Sequence, residues 1–221
     1  KGMINAVADQ EQILKMLLKT GRNTDIGIEA DLHNVNIYNE FRQAVPIRDY
    51  EQLKPWIEKI KQGKHNVLWK GRPIYFAKTS GTTSGAKYIP ISKESMPFHI
   101  QGARDALLHY VFHSGNADFL DQKLIFLSGS PALESPNGIP TGRLSGIVNH
   151  HVPGYLRSNQ LPSYTTNCIE DWEEKLAAIV QETHQERMGL ISGIPPWVQM
   201  YFDRLESLTG KKIGELFPDF Q

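Results

Sequence analysis

Short apolar segments of strand length alternate with amphipathic helical segments along this chain, and that alternation restricts its fold more than any other feature. The apolar runs at residues 67–69, 74–77, 88–91, 124–127 and 188–191 are predicted to be strands. Strands that alternate with helices are typical of an α/β architecture. We therefore predict an α/β fold.

The predicted helices have recognisable start and stop signals. Asp49 followed by Gln52 has the spacing of a capping box, and Gly63 ends the helix that follows. Ser92 is a good N-cap for a long helix that runs to about His113. Apolar periodicity predicts further helices at residues 9–19 and 170–186, and paired prolines at residues 195 and 196 predict the start of another.

Composition excludes several classes of protein. The 221 residues are 40% apolar, which is enough for a packed core, and Lys plus Arg equal Asp plus Glu at 24 each. A net charge of zero gives no reason to expect nucleic acid or an anionic membrane as a partner. No apolar run is long enough to span a bilayer. Cys168 is the only cysteine, which excludes an internal disulfide and predicts a reducing, cytoplasmic location.

Residues 79–87 carry the clearest chemical pattern, Thr-Ser-Gly-Thr-Thr-Ser-Gly-Ala-Lys. Hydroxyls and backbone N–H groups near glycine can donate hydrogen bonds to phosphate oxygens, and Lys87 adds a positive charge. The spacing of Gly81 and Gly85 matches neither a Walker loop nor a dinucleotide fingerprint. The alternative is a flexible linker, but the position between a strand and a strand–helix unit favours a phosphate-binding loop.

This loop resembles the phosphate loop of the acyl-adenylate-forming superfamily, whose usual pattern is Thr-Ser-Gly-Thr-Thr-Gly-x-Pro-Lys. Ser84 and Ala86 depart from that pattern. With these two residues the loop resembles that of the auxin-responsive acyl-acid amido synthetases of plants and their bacterial relatives. Further segments resemble that family in the same order over about 190 residues. They are residues 23–27, 45–51, 66–69, 87–90, 129–145, 193–197 and 209–211.

The resemblance implies both a fold and an activity. Residues 1–221 are expected to be an incomplete amino-terminal domain, with a mixed sheet and flanking helices, that binds the acyl group and the ATP phosphates. The complete protein is expected to be a monomer that uses ATP and Mg²⁺ to adenylate a small carboxylic acid and then joins it to an amino acid. The fragment alone is expected to be inactive.

The sequence leaves two other functions open. An acyl- or aryl-CoA ligase shares the phosphate loop and differs in the acceptor. A non-catalytic protein could bind a nucleotide or a partner through the same fold.

The resemblance and the position of each residue give the candidate sites. The phosphate-binding residues are expected to be Thr79, Ser80, Gly81, Thr82, Thr83, Ser84, Gly85 and Lys87. Lys87 could instead be a surface charge at the start of a strand. Arg104, on the helix after the loop, is a candidate for binding the acid's carboxylate, and the alternative is a solvent-facing arginine. Ser130 begins a long loop that either binds substrate or is ordinary surface structure.

No catalytic residue and no protein-held metal site is predicted. His109 and His113 have the spacing of metal ligands on a helix, but no glutamate follows His109 and no third ligand is evident.

Overall fold

Buried apolar side chains gather in separate cores, and the chain divides into two units. Residues 1–93 with 135–141 form the first unit, and residues 94–134 with 142–221 form the second. The computed structural model describes residues 5–79 and 85–220, apart from the side chain of Tyr155. No helix in these described ranges is both long and apolar enough to cross a bilayer.

The elements confirm the predicted α/β class. The strands are β1 Tyr75–Lys78, β2 Tyr88–Ile91, β3 Lys123–Leu127, β4 Thr141–Gly142, β5 Gln160–Leu161 and β6 Met188–Gly193. The helices are α1 Ala6–Gly21, α2 Asp25–Glu29, α3 Tyr38–Ala44, α4 Tyr50–Lys61, α5 Met96–Ser114, α6 Leu144–Asn149, α7 Gly154–Arg157, α8 Tyr164–Asn167, α9 Trp172–Thr183, α10 Pro195–Thr209 and α11 Ile213–Leu216. Two 3₁₀ turns lie at Leu32–Asn34 and Asp118–Asp121.

In the first unit, α4 has the predicted capping box. The Gln52 N–H donates to Asp49 Oδ1 at 2.8 Å, and the Asp49 N–H donates to Gln52 Oε1 at 2.8 Å. These bonds satisfy N–H groups that the first turn of a helix leaves unpaired. Ile57 and Ile60 on the apolar face of α4 are buried in a core that also holds Phe76.

The first unit also holds a small sheet with the order β2-β1-β4. β1 and β2 are antiparallel, with Phe76 opposite Pro90. Pro90 is tolerated because β2 lies at the edge of this sheet. On the other side of β1, the Phe76 N–H donates to Pro140 O at 2.9 Å.

The strand predicted at residues 67–69 is wrong. The carbonyls of Asn66 and Val67 accept hydrogen bonds from the N–H groups of Asp25 and Ile26, at 2.8 and 3.1 Å. This segment therefore satisfies the amino-terminal end of α2 instead of joining a sheet. Its apolar character has a different cause, because the Val67 side chain is buried in the core around α4.

The second unit is built on a parallel sheet with the order β5-β3-β6. The central strand β3 buries Leu124, Ile125 and Leu127, as its apolar sequence predicts. The core continues between β3 and the inner faces of α9 and α10.

One predicted helix start and one predicted loop need correction. α5 begins at Met96, with Ser95 at the N-cap position and a proline in its first turn, so Ser92 is not the cap. The long loop predicted to begin at Ser130 is interrupted by β4 and by the start of α6. The paired prolines do open α10, as the sequence predicts.

Tyr201 on α10 is expected to make the stability of the second unit depend on pH. Its side chain is fully buried, and its hydroxyl donates to Thr183 Oγ1 at 2.9 Å. Burial raises the pKa of Tyr201 to about 12, with the Thr183 hydrogen bond acting in the opposite direction. An unfolded tyrosine titrates near 10. Between these values the unfolded chain loses its proton first, so stability falls as pH rises.

Tyr201→Phe should therefore flatten the alkaline loss of stability. Near pH 8 the variant should be less stable by about 1 kcal/mol, for the lost hydrogen bond. Between pH 10 and 12 wild type should lose about 1 kcal/mol more per pH unit than the variant. Urea unfolding at a series of pH values measures both effects. Tyr38→Phe, at an exposed tyrosine, is the control, and parallel pH curves for wild type and Tyr201→Phe would contradict the prediction.

Candidate substrate-binding site

The predicted phosphate loop connects the antiparallel strands β1 and β2 of the first unit. At its base the Thr79 N–H donates to the Lys87 carbonyl at 3.0 Å. Gly85 has φ +80°, a conformation that favours glycine. Ser80, Gly81, Thr82, Thr83 and Ser84 lie outside the described residues. The described ends of the loop thus have the strand context that the sequence predicts.

Lys87 lies where this loop meets α4. Its Nζ is 5.5 Å from the centroid of the Tyr50 ring, a cation–π distance. The Tyr50 hydroxyl accepts a hydrogen bond from the Tyr88 N–H at 2.8 Å. Lys87 is half-buried, so its side chain is partly held at the base of the loop.

The second unit contains a cavity of about 570 Å³ next to the carboxyl ends of β3 and β6. Open sheets of parallel strands commonly bind ligands at this edge. Its walls come from α5, from the residues that follow β3, from α6 and the segment after it, and from the start of α10. The lining is mostly apolar and includes Ile100, Leu107, Phe126, Val148, Ile194 and Trp197. A largely apolar cavity of this size suits a small organic molecule.

Arg104 and Ser130, the two substrate residues predicted from sequence, have different positions. Arg104 lines the cavity from α5, and its guanidinium Nη2 is 3.1 Å from Asp105 Oδ1. Its charge is therefore shared with the neighbouring carboxylate on the same helix. The Ser130 hydroxyl accepts a hydrogen bond from the Ala132 N–H at 3.2 Å, so it supports its own turn. Ser130 is not among the described residues that line the cavity.

Arg143 is a cavity residue that sequence reasoning did not select. It precedes α6, and its side chain lies across the backbone of Gly129. A Cβ at residue 129 would be 3.3 Å from Arg143 Nε and closer still to its Cδ, so a side chain at this position would displace the arginine. The Arg143 guanidinium forms no hydrogen bond or ion pair with any residue that the structure describes. Arg143 thus places at the border of the cavity a cation that no described residue neutralises.

Lys175 is a second cation that sequence reasoning did not select. Its side chain is only 4% exposed, and its Nζ donates to Asn167 O at 2.7 Å and to Ser128 O at 3.1 Å. Burial lowers the pKa of Lys175, the Cys168 thiol acts in the opposite direction, and the Arg143 guanidinium lowers it further. The sequence could have indicated the burial of this lysine, because Lys175 lies three residues after Trp172 and therefore on the same face of α9.

Trp172 and Trp197 form a stacked pair beside the cavity. Their ring centroids are 4.6 Å apart with an interplanar angle of 28°. Trp197 lines the cavity, so the pair fixes one of its walls. The described residues include no cluster of three His, Cys, Asp or Glu that could hold a metal ion.

Comparison with known proteins identifies similar sequences and a similar fold. A sequence model described as the GH3 family N-terminal domain matches residues 3–177. The jasmonoyl-L-amino acid synthetase JAR4 of Nicotiana attenuata is 26% identical over 165 residues, which cover 73% of this chain and 28% of that protein. The indole-3-acetic acid-amido synthetase GH3.17 of Arabidopsis thaliana is 23% identical over 209 residues, which cover 85% of this chain and 33% of that protein.

A solved structure shares the fold. The structure of the AtGH3.15 acyl acid amido synthetase in complex with 2,4-DB aligns with a TM-score of 0.67 and 15% identity. The alignment covers 96% of this chain and 39% of that one. The chain thus spans roughly a third of the length of the relatives that it matches.

A bulky side chain at Ala103 should close the cavity without disturbing the fold. Ala103 lies on the exposed surface of α5 and lines the cavity, so Ala103→Trp places an indole in the space. If the cavity binds a small organic molecule, as its size and lining suggest, calorimetry with 1-naphthaleneacetate as a probe should show an affinity about tenfold or more weaker than that of wild type. Ala106→Trp is the matched control, because Ala106 is exposed on the same helix and is outside the cavity lining. Equal affinity of the two variants would contradict this cavity as the binding site.

Proposed function

The chain belongs to the GH3 family, and on that basis we propose that the complete protein is an ATP-dependent acyl-acid amido synthetase. The carboxylate of the acid attacks the α-phosphorus of ATP, pyrophosphate leaves, and an acyl-adenylate forms. The amine of an amino acid then attacks the acyl carbon, and AMP leaves as the amide forms. The observation that carries this proposal is the family match over residues 3–177.

The cavity of the second unit is proposed to bind the acid. Its volume of about 570 Å³ and its apolar lining suit acids such as indole-3-acetate or jasmonate, after which two of the relatives are named. Arg104 at the edge of the cavity is a candidate partner for the carboxylate, because guanidinium groups bind carboxylates with well-matched geometry. Ser130 is a weaker candidate, since its hydroxyl already accepts a bond within its own turn.

The hairpin loop of the first unit is proposed to bind the ATP phosphates. Its residues are Thr79, Ser80, Gly81, Thr82, Thr83, Ser84, Gly85 and Lys87. Their hydroxyl and backbone N–H groups suit phosphate oxygens, and the Lys87 ammonium suits the phosphate charge. ATP would enter with Mg²⁺, which neutralises part of the same charge. Binding of this kind favours reaction by alignment and electrostatic stabilisation.

The length, charge and cysteine content of the chain support proposals about its place in a larger protein, its partners and its location. We propose that residues 1–221 supply acid-binding and phosphate-binding parts of a larger catalytic domain, because they span roughly a third of the relatives. The balanced charge supports small molecules, rather than nucleic acid or a membrane, as partners. The single cysteine supports a cytoplasmic location, and a monomer is proposed by analogy with the family.

Pyrophosphate release by the product of the complete gene tests this function. The assay contains ATP and Mg²⁺ with a panel of aryl and aliphatic acids, and adds either amino acids or coenzyme A as acceptor. Release that requires an acid and increases with an amino acid is expected, because amide formation consumes the adenylate. Stimulation by coenzyme A alone would identify an acyl-CoA ligase instead. No release with any acid would refute the proposed activity.

Replacing Lys87 should weaken the use of ATP specifically. Lys87→Ala removes a cation from the proposed phosphate site, so the KM for ATP should rise by about tenfold or more. The KM for the acid should change by less than about twofold, because Lys87 is not among the described residues that line the cavity. Lys70→Ala, at an exposed lysine of the same unit, is the control. An unchanged ATP dependence in Lys87→Ala would exclude a role for this lysine in binding phosphate.

A further inference from the structure

Lys175 is a buried positive charge to which the described residues supply no carboxylate counter-ion. Its side chain is 4% exposed, and no carboxylate within the described ranges forms an ion pair with it. Burying a charge in this way costs free energy unless strong partners compensate. A lysine retained at such a position therefore needs an explanation beyond packing.

The partners of Lys175 are backbone carbonyl groups next to the cavity. Nζ donates to Ser128 O, directly after β3, and to Asn167 O, at the end of α8. Asn167 is only 1% exposed, and its Nδ2 donates to Ser128 Oγ at 3.4 Å. Ser128 itself lines the cavity. Lys175 and Asn167 thus hold Ser128 in place. The carbonyl dipoles of Ser128 and Asn167 stabilise the ammonium, but they carry no net charge and do not neutralise it.

Arg143 adds a second positive charge to the same end of the cavity. It lines the cavity, and its side chain crosses Gly129, the residue after Ser128. The mutual effect of the two cations contributes to the lowered pKa of Lys175, so their charges act on one region. Because no described carboxylate pairs with either cation, the two charges favour an anion at this end of the cavity.

We propose that Arg143 and Lys175 give the cavity a positive end that selects the ionised form of an organic acid over neutral analogues of the same shape. The inference rests on the proposed function, in which this cavity binds the acid. Arg143 faces the ligand, and Lys175 is a positioning residue that acts through Ser128 and through its charge. A carboxylate compensates both cations, whereas an alcohol or amide of the same shape does not.

The test compares two ligands that share a ring system and differ in charge. Calorimetry on the product of the complete gene gives the dissociation constants of 1-naphthaleneacetate and of 2-(1-naphthyl)ethanol. Wild type should prefer the carboxylate by about tenfold or more. Arg143→Gln and Lys175→Met should each reduce that preference several-fold, because each weakens binding of the carboxylate more than binding of the alcohol. General damage to the site would instead weaken both ligands alike.

Matched variants separate charge from structure. Arg143→Lys keeps the positive charge and should retain most of the preference, unlike Arg143→Gln. Lys211→Met removes an exposed lysine that is outside the cavity lining and should behave as wild type. If Lys175→Met does not fold, the comparison of Arg143→Gln with Arg143→Lys still tests the inference. Arg143 is exposed and can be replaced without loss of core packing.

The outcomes distinguish this inference from the proposed function. A carboxylate preference in wild type that survives in Arg143→Gln and Lys175→Met would overturn the inference and leave the acid-binding role intact. Failure of wild type to bind either ligand, or any acid of the panel, would overturn both. Loss of the preference in the two charge-removing variants alone supports the positive end of the cavity.

Discussion

The second unit depends on the parallel pairing of β3 with β6. Five residues of β3 pair with residues of β6, and both strands end side by side, at Leu127 and Gly193. Because β3 is central, its side chains are covered by helices and form the core of the unit. The chain turns away from the sheet where the strands end, and the cavity lies at that edge. The strand pairing that stabilises this unit therefore also determines where a ligand can bind.

The features that sequence predicted correctly are those with local causes. The capping box of Asp49 and Gln52 involves backbone groups within one turn, so its spacing alone identifies it. The apolar run at residues 124–127 and the prolines before α10 have similarly local consequences. Resemblance to a family extended these predictions, because motifs in a constant order indicate a shared fold even at low identity.

The features that sequence missed arise from contacts between distant segments. Residues 67–69 have the composition of a strand, but their carbonyls pair with the start of α2. Gly189 lies at a register shift between β3 and β6, where a Cβ would be 2.8 Å from Phe119 O. The Arg143 side chain lies against Gly129, fourteen residues earlier, where a Cβ would displace it. Periodicity and capping rules contain no information about such approaches.

Lys175 shows how a site residue can be recognised from a local inconsistency. On α9 it lies beside Leu176 on the face that packs into the core, where helix periodicity favours an apolar residue. A methionine of similar volume would avoid the cost of burying the charge, but it would leave the carbonyls of Ser128 and Asn167 without their donor. Positions where a sequence breaks its own hydrophobic pattern are often functional. The break at Lys175 coincides with the end of β3, where the parallel sheet meets the cavity, and the proposed role of the buried charge in ligand binding rests on this coincidence.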